Sequence, residues 1–215
     1  MNKMLNINHK GVSMSEQYFT KQPNSNHQEK KIQLSYGDQQ FSFITDSGVF
    51  SKDRMDYGSL VLMNALVDDL ELESGHSMLE LGSGYGPLSI VFAKCFPSIT
   101  VTGIEVNERA INLARRNAEI NDLDNINWHL ADVTQLEFTD TYDVVITNPP
   151  IRAGKKVIQA FVDKAYTCLN KKGNLYLVIQ KKQGAPSMKS YMETLFGNVE
   201  RIALDKGYWV LKSKK

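Results

Sequence analysis

The stretch TNPPIRAGK, Thr147 to Lys155, sets the polar Asn148 directly before Pro149 and Pro150. Arg152, Gly154 and the lysines Lys155 and Lys156 follow. Neither proline can donate to a sheet ladder, so together they stop the apolar run YDVVI that precedes them. An amide is thereby left at the carboxyl end of a buried strand, with cations beside it. A second stretch, LELGSGYGPLS, carries Gly82, Gly84 and Gly86 at alternate positions. Glycines there let the chain turn tightly and let a ligand touch the backbone with no Cβ in the way. At a strand-to-helix junction such a loop suits a nucleotide-like ligand. The dinucleotide pattern GxGxxG places its third glycine three residues beyond the second. Here Gly86 lies two beyond Gly84, and no hydride-transfer residue is evident, which disfavours an NAD-dependent oxidoreductase.

These residues need elements to hold them. IQLSYGDQQFSFITD reads as a hairpin, with Ile32, Leu34 and Tyr36 alternating out and Phe41, Phe43 and Thr45 alternating back. A loop, GVFSKDRMDYGS, leads to a helix over 59–70. Strands are expected at 77–81, 99–105, 126–130, 142–147 and 174–180, and helices at 87–96, 107–121, 157–169 and 187–196. Apolar strands alternating with helices mean a mainly parallel sheet covered on both faces. Two last strands, 199–204 and 208–213, are joined only by Asp205-Lys206-Gly207, which demands an antiparallel hairpin at the sheet edge. The expected fold class is α/β: a mainly parallel seven-stranded sheet with an antiparallel edge hairpin and a small N-terminal β-hairpin. Residues 1–31 are polar and aperiodic and read as a flexible tail. Residues 32–215 read as a single domain, with 32–58 as hairpin and lid. Met14 offers a second plausible start.

The string from Glu80 to Gly86, ExGxGxG, resembles motif I of class I S-adenosylmethionine methyltransferases, which implies a Rossmann-like fold and that cofactor. By the resemblance, Gly82, Gly84 and Gly86 form the cofactor loop, and Glu80 orients it near the methionine amino end, with a bare structural role as the alternative for Glu80. Glu105, ending VTGIE, accepts the ribose hydroxyls. Asp132 and Val133 meet the adenine; alone, Asp132 would read as a turn or helix cap.

NPP resembles motif IV of methyltransferases acting on planar exocyclic nitrogens. The implied role of Asn148 is to accept from the NH2 through its side-chain oxygen. The Pro149 carbonyl accepts the second proton and Pro150 braces the turn. Rigid acceptors leave little reorganisation for the transition state. Where the motif commonly continues with an aromatic residue, this chain has Ile151, so Phe50 is the candidate to stack on the base. NPPIRAGK together with SGVFSKDRMDYGS resembles the methyltransferase small domain family, and within it short relatives of the RsmC-type 16S ribosomal RNA guanine-N2 methyltransferases. The resemblance runs from about Phe41 to the C-terminus. It implies that Phe50, Ser51, Asp56 and Ser59 lie against the pocket as a lid, although Asp56 and Ser59 are also plausible helix caps. Arg152, Lys155 and Lys156 are then phosphate contacts. Two rivals stay open: a protein glutamine-N5 methyltransferase, and a non-enzymatic cofactor- or RNA-binding module.

Charge supports a polyanionic partner. Overall the chain is +1, but residues 60–150 hold 4 Lys+Arg against 14 Asp+Glu, net −10, and residues 151–215 hold 14 against 4, net +10. A swing of that size suggests a basic face beside an acidic region. Lys181 and Lys182 follow the strand over 174–180 and so fall at its carboxyl end, where an open parallel sheet holds its ligands. Lys171 and Lys172 fall at the opposite end. With 42% hydrophobic residues in 215, the chain can bury a sizeable core. No apolar run reaches the roughly 18 residues of a membrane span, and the N-terminus has no signal-peptide core. Cys95 and Cys168 read as core residues of a reduced cytoplasm. His9, His27, His76 and His129 lack metal-ligand spacing, so no metal is expected. The partner expected is ribosomal RNA or the small ribosomal subunit, with the oligomeric state open.

Overall fold

The computed structural model describes residues 26–70 and 72–215. The expected tail up to residue 25, with the alternative start at Met14, lies outside the described residues. A two-stranded hairpin, β1 (Lys30–Tyr36) and β2 (Gln39–Thr45), leads through a loop to helix α1 (Tyr57–Asp69). There follow β3 (Ser77–Leu81), α2 (Pro87–Cys95), β4 (Thr100–Glu105), α3 (Glu108–Ile120), β5 (Ile126–Leu130), β6 (Tyr142–Thr147), α4 (Lys155–Cys168), β7 (Leu169–Gln180), α5 (Ala185–Phe196), β8 (Glu200–Asp205) and β9 (Tyr208–Lys214). Short 3-10 turns, Ile151–Ala153 and Lys181–Gln183, close the ends of β6 and β7.

Seven strands form one sheet in the order β5-β4-β3-β6-β7-β9-β8. From β5 to β7 neighbours run parallel; β9 is antiparallel to both β7 and β8. The expected edge hairpin is present. Its register pairs Asp205 with Tyr208, so the turn is Lys206-Gly207, with φ of +43° and +82°. Two positive φ values match the twist that a two-residue hairpin needs.

Strand alternation splits the core. Met78, Val144, Ile146, Tyr176 and Val178 face one layer with α1, α2 and α3. Leu79, Leu81, Val145, Leu175, Leu177 and Ile179 face the other, with α4 and α5. Both faces of the parallel strands are thus covered, which is why those strands read as nearly continuous apolar runs.

The N-terminal hairpin docks on α3 through two asparagines four residues apart. Asn117 accepts from Ile44 N at 2.7 Å and donates to Ile44 O and Tyr85 O at 3.0 Å. Asn121 accepts from Ser42 N at 3.2 Å and donates to Ser42 O at 2.8 Å. Helical spacing of four here meets strand spacing of two, and buried backbone groups of β2 gain the partners they require. The strand β1 begins at Lys30, two residues before the expected boundary. Ahead of it, His27 Nδ1 lies 2.6 Å from the buried Asp46 carboxylate, which also accepts from Gln28 N. A buried carboxylate needs such donors, and Arg109, 3.6 Å away, adds a cation.

Several other bounds moved, α1 and α5 each beginning two residues early at Tyr57 and Ala185. The strand β7 begins at Leu169 rather than 174, taking in Lys171 and Lys172, because Lys172 N donates to Lys215 O across the sheet. The helix α4 begins at Lys155 rather than 157, directly after Gly154 at φ +96°.

Candidate active site

A cleft of about 530 Å³ opens at the carboxyl ends of the parallel strands, the end where open sheets hold ligands. Gly82 and Gly84 come from the loop after β3, Glu105 from the end of β4, and Asp132 and Val133 from the turn after β5. Asn148, Pro149, Pro150, Ile151 and Arg152 follow β6, and Phe50, Ser51 and Asp56 reach in from the loop before α1. The expected residues from distant parts of the sequence therefore converge.

On the glycine loop, Gly84 has φ +57° with open space where a Cβ would stand. Gly82, at φ +77°, lies under the Phe161 ring, 3.3 Å from its would-be Cβ. Both sit in the left-handed region that glycine tolerates, and Gly84 leaves its backbone open to an approaching ligand. The buried Glu105 carboxylate accepts from Gly84 N at 2.8 Å and from Val106 N and Asn107 N, each at 2.9 Å. These bonds fix its orientation at the cleft wall. Burial raises the Glu105 carboxyl above the usual range, and the three N–H donors pull against that rise. Asp132 Oδ1 accepts from Thr134 N at 2.9 Å and Thr134 Oγ1 at 2.7 Å. The turn role anticipated for it is real, and it lines the cleft as well.

Asn148 is held by its nitrogen. Its Nδ2 donates to Asp56 Oδ2 and to Ser59 Oγ, each at 2.9 Å. Asp56 is also the N-cap of α1, accepting from Ser59 N at 3.2 Å, and it lines the cleft. Behind Asn148, Thr147 Oγ1 donates to Leu81 O at 2.8 Å and ties the end of β6 to β3. Phe50, 51% exposed, stands at the cleft mouth. The loop that carries it is fastened to the glycine loop, where Tyr85 Oη donates to Ser51 O at 3.4 Å.

Seven expected site residues, Ser59, Glu80, Gly86, Lys155, Lys156, Lys181 and Lys182, do not line the cleft. Glu80, only 3% exposed, turns away from it and accepts from Ser89 N and Ser89 Oγ in the first turn of α2. The N-cap of that helix is Gly86, which has no side chain to offer, so Glu80 supplies the missing acceptor from the neighbouring strand. Burial raises its carboxyl to about 8, against the pull of the two bonds from Ser89. Gly86 is required by packing: a Cβ there would stand 2.7 Å from the Trp128 ring. Lys155, Lys181 and Lys182 are exposed at the first turn of α4 and the 3-10 turn after β7, outside the cleft lining. Of the basic residues named, Arg152 alone is in the wall.

Sequence reading missed Asn107, Phe161, Gln183 and Tyr208, which also line the cleft. Asn107 caps α3, accepting from Arg109 N and Ala110 N, and donates to Gly48 O at 3.0 Å. Its place just before ERAINLA was a readable cap signal. Tyr208 enters from the first residue of β9, and its ring lies 5.7 Å from that of Tyr57. Nothing local marks it, because the edge hairpin brings it there. Among the described residues no group of three or more His, Cys, Asp or Glu is placed to hold a metal. No helix among them is long and apolar enough to cross a membrane.

A mostly parallel seven-stranded sheet, with a glycine loop after β3 and an acid ending β4, defines a Rossmann-like class I methyltransferase. The chain belongs to the methyltransferase small domain family, whose model matches residues 40–212. It is 39% identical over 203 residues to the uncharacterized protein YbxB of Bacillus subtilis, covering 94% of this chain and 100% of that one. Ribosomal RNA small subunit methyltransferase C of Aeromonas hydrophila is 29% identical over 188 residues, covering 86% of this chain and 52% of its own. The solved structure of the T. thermophilus 16S rRNA N2 methyltransferase RsmC, in complex with AdoMet and guanosine, matches with a TM-score of 0.78 at 28% identity. It covers 90% of this chain and 52% of that one. The chain spans about half the length of these RsmC proteins.

Proposed function

We propose that the chain transfers a methyl group from S-adenosylmethionine to the exocyclic N2 amino group of a guanine in small-subunit ribosomal RNA. The observation that carries this reading is that Glu105, Asn148 and Pro149 line one cleft. A ribose-binding acid and a pair of amino-group acceptors are thereby within reach of a single bound cofactor. The cleft volume falls in the range of small-molecule and cofactor sites. Glu105 would hold the ribose hydroxyls, Asp132 and Val133 the adenine, and the backbone at Gly82 and Gly84 the methionine side. Asn148 Oδ1 and the Pro149 carbonyl would accept the two amino protons while Pro150 braces them. Bound there, S-adenosylmethionine would supply the methyl group, the amino lone pair forming the new N–C bond as the S–C bond breaks with its electrons left on sulfur. The extra amino proton leaves to solvent.

Within residues 32–58, the loop after the hairpin would act as a lid, with Phe50 stacking on the base in place of an aromatic at Ile151. The likeness to RsmC proteins and the net charge of +10 over residues 151–215 support an RNA substrate. Acting on ribosomal RNA or the small subunit, the protein would work in the cytoplasm. The test is transfer of tritium from labelled cofactor to unmodified small subunits and to extracted RNA, followed by nucleoside analysis. The expected product is N2-methylguanosine. Label in a protein glutamine, on a ring carbon or on a ribose oxygen would overturn the assignment.

A further inference from the structure

The side-chain amide of Asn148 has two ends of opposite hydrogen-bonding character. A rotation of about 180° about its last torsion would exchange them at little intrinsic cost. In one orientation the cleft meets an acceptor; in the other it meets a donor, which would repel an amino group. The sequence around Asn148 fixes the backbone through the two prolines but does nothing for that torsion. Two groups 92 and 89 residues earlier settle it. Asp56 Oδ2 and Ser59 Oγ both take Asn148 Nδ2, each at 2.9 Å. A carboxylate offers only acceptors, so the flipped amide would set oxygen against oxygen. Among the described residues no donor is bonded to Asn148 Oδ1, which is therefore the end left for a ligand.

From this geometry we infer that Asp56 and Ser59 are positioning residues that lock the Asn148 amide with its oxygen as acceptor. They thereby make the site selective for a substrate NH2 over an unprotonated ring nitrogen or a carbonyl oxygen. The inference rests on the amino-group reading above. Two further features fit it. Asp56 is itself anchored as the N-cap of α1, so the lock sits on a rigid helix end. A charge-assisted bond to the amide nitrogen also draws electron density toward the oxygen. That strengthens the acceptor where positive charge develops on the attacked nitrogen.

The test separates the lock from the cap. Asp56→Ser keeps a good N-cap side chain but is too short to reach Asn148, and Ser59→Ala removes the second acceptor. Asp56→Asn keeps both the cap and an oxygen of the right reach. In the double variant Asp56→Ser/Ser59→Ala, kcat on small subunits should fall roughly 10- to 100-fold, the order expected for a misplaced reacting group. S-adenosylhomocysteine affinity should stay within a few fold. Asp56→Asn alone should retain most of the turnover. Double-variant turnover within twofold of the unmodified protein would overturn the proposal. So would a loss that Asp56→Asn shares in full, or one that tracks lost cofactor binding.

An independent readout needs no substrate. In the full chain labelled with 15N-asparagine, the Asn148 side-chain NH2 protons should exchange with water at least tenfold more slowly than those of exposed asparagines. Exchange as fast as an exposed amide would overturn the lock even if every variant failed to fold. Should no RNA accept methyl, the substrate reading fails while this measurement still decides the lock.

Discussion

Replacing Glu105 and replacing Asn148 should damage the protein in different ways. Glu105→Ala removes the acceptor proposed for the ribose hydroxyls, a loss of about 1.5–3 kcal/mol. Calorimetry should show cofactor affinity reduced on the order of tenfold or more; an unchanged affinity would displace the ribose from this acid. Asn148→Ala should leave S-adenosylhomocysteine affinity within a few fold and cut turnover roughly 10²-fold, as for one preorganised transition-state contact. Glu80 belongs to stability instead. Its folded carboxyl sits at about 8 against an ordinary 4.5. Between those values the folded state holds a proton that the unfolded state has released, so this group lowers stability as pH rises from about 4.5 to about 8. Urea unfolding of Glu80→Gln should therefore fall less across that window than unfolding of the unmodified protein. Equal slopes would mean that Glu80 is ionised in the fold. The sequence exposed Glu105 and Asn148 because both end strands beside recognisable loops. It left Glu80 between a cofactor role and a structural one, because its partner, Ser89, is reached only once α2 folds back over β3.

At the scale of elements, the strands over 77–81, 126–130 and 142–147 were legible to the residue; the first and last are apolar runs stopped by glycine or proline, which leave little choice. The early starts of β7 and α4 were not. One depends on pairing with the last residue of the chain, and the other on a glycine conformation that local pattern does not specify. Least legible was the attachment of the N-terminal hairpin. Asn117 and Asn121 look like ordinary polar positions of a helix, yet Asn117 is fully buried and serves backbone groups of Ile44 and Tyr85. Asn117→Ala would strand those groups in the core at about 1–3 kcal/mol for each one left unsatisfied. The midpoint of urea unfolding should drop accordingly. Asn117→Asp should be no better, since it sets a carboxylate against two carbonyl oxygens. A midpoint unchanged in either variant would show that the hairpin is held by its apolar face alone.

For the whole molecule, the uneven charge becomes a spatial arrangement. Arg152 is in the cleft wall, while Lys155, Lys181 and Lys182 stand exposed on turns at the same end of the sheet. They are suited to the phosphates around a target nucleotide rather than to the nucleotide itself. Neutralising the three lysines together should weaken RNA binding. Each lost contact should flatten the log–log salt dependence by somewhat under one unit, with cofactor affinity unchanged. An unaltered salt slope would move the RNA to another face. Finally, the bond between Asn148 and Asp56 spans 92 residues, whereas the glycine loop and Glu105 meet within 21. Closing the longer loop costs more chain entropy before any contact offsets it. During folding, the cofactor cradle is therefore a nearly local assembly, while the methyl-accepting half waits on the return of a distant segment. A nascent chain would acquire the means to hold its reagent before the means to spend it.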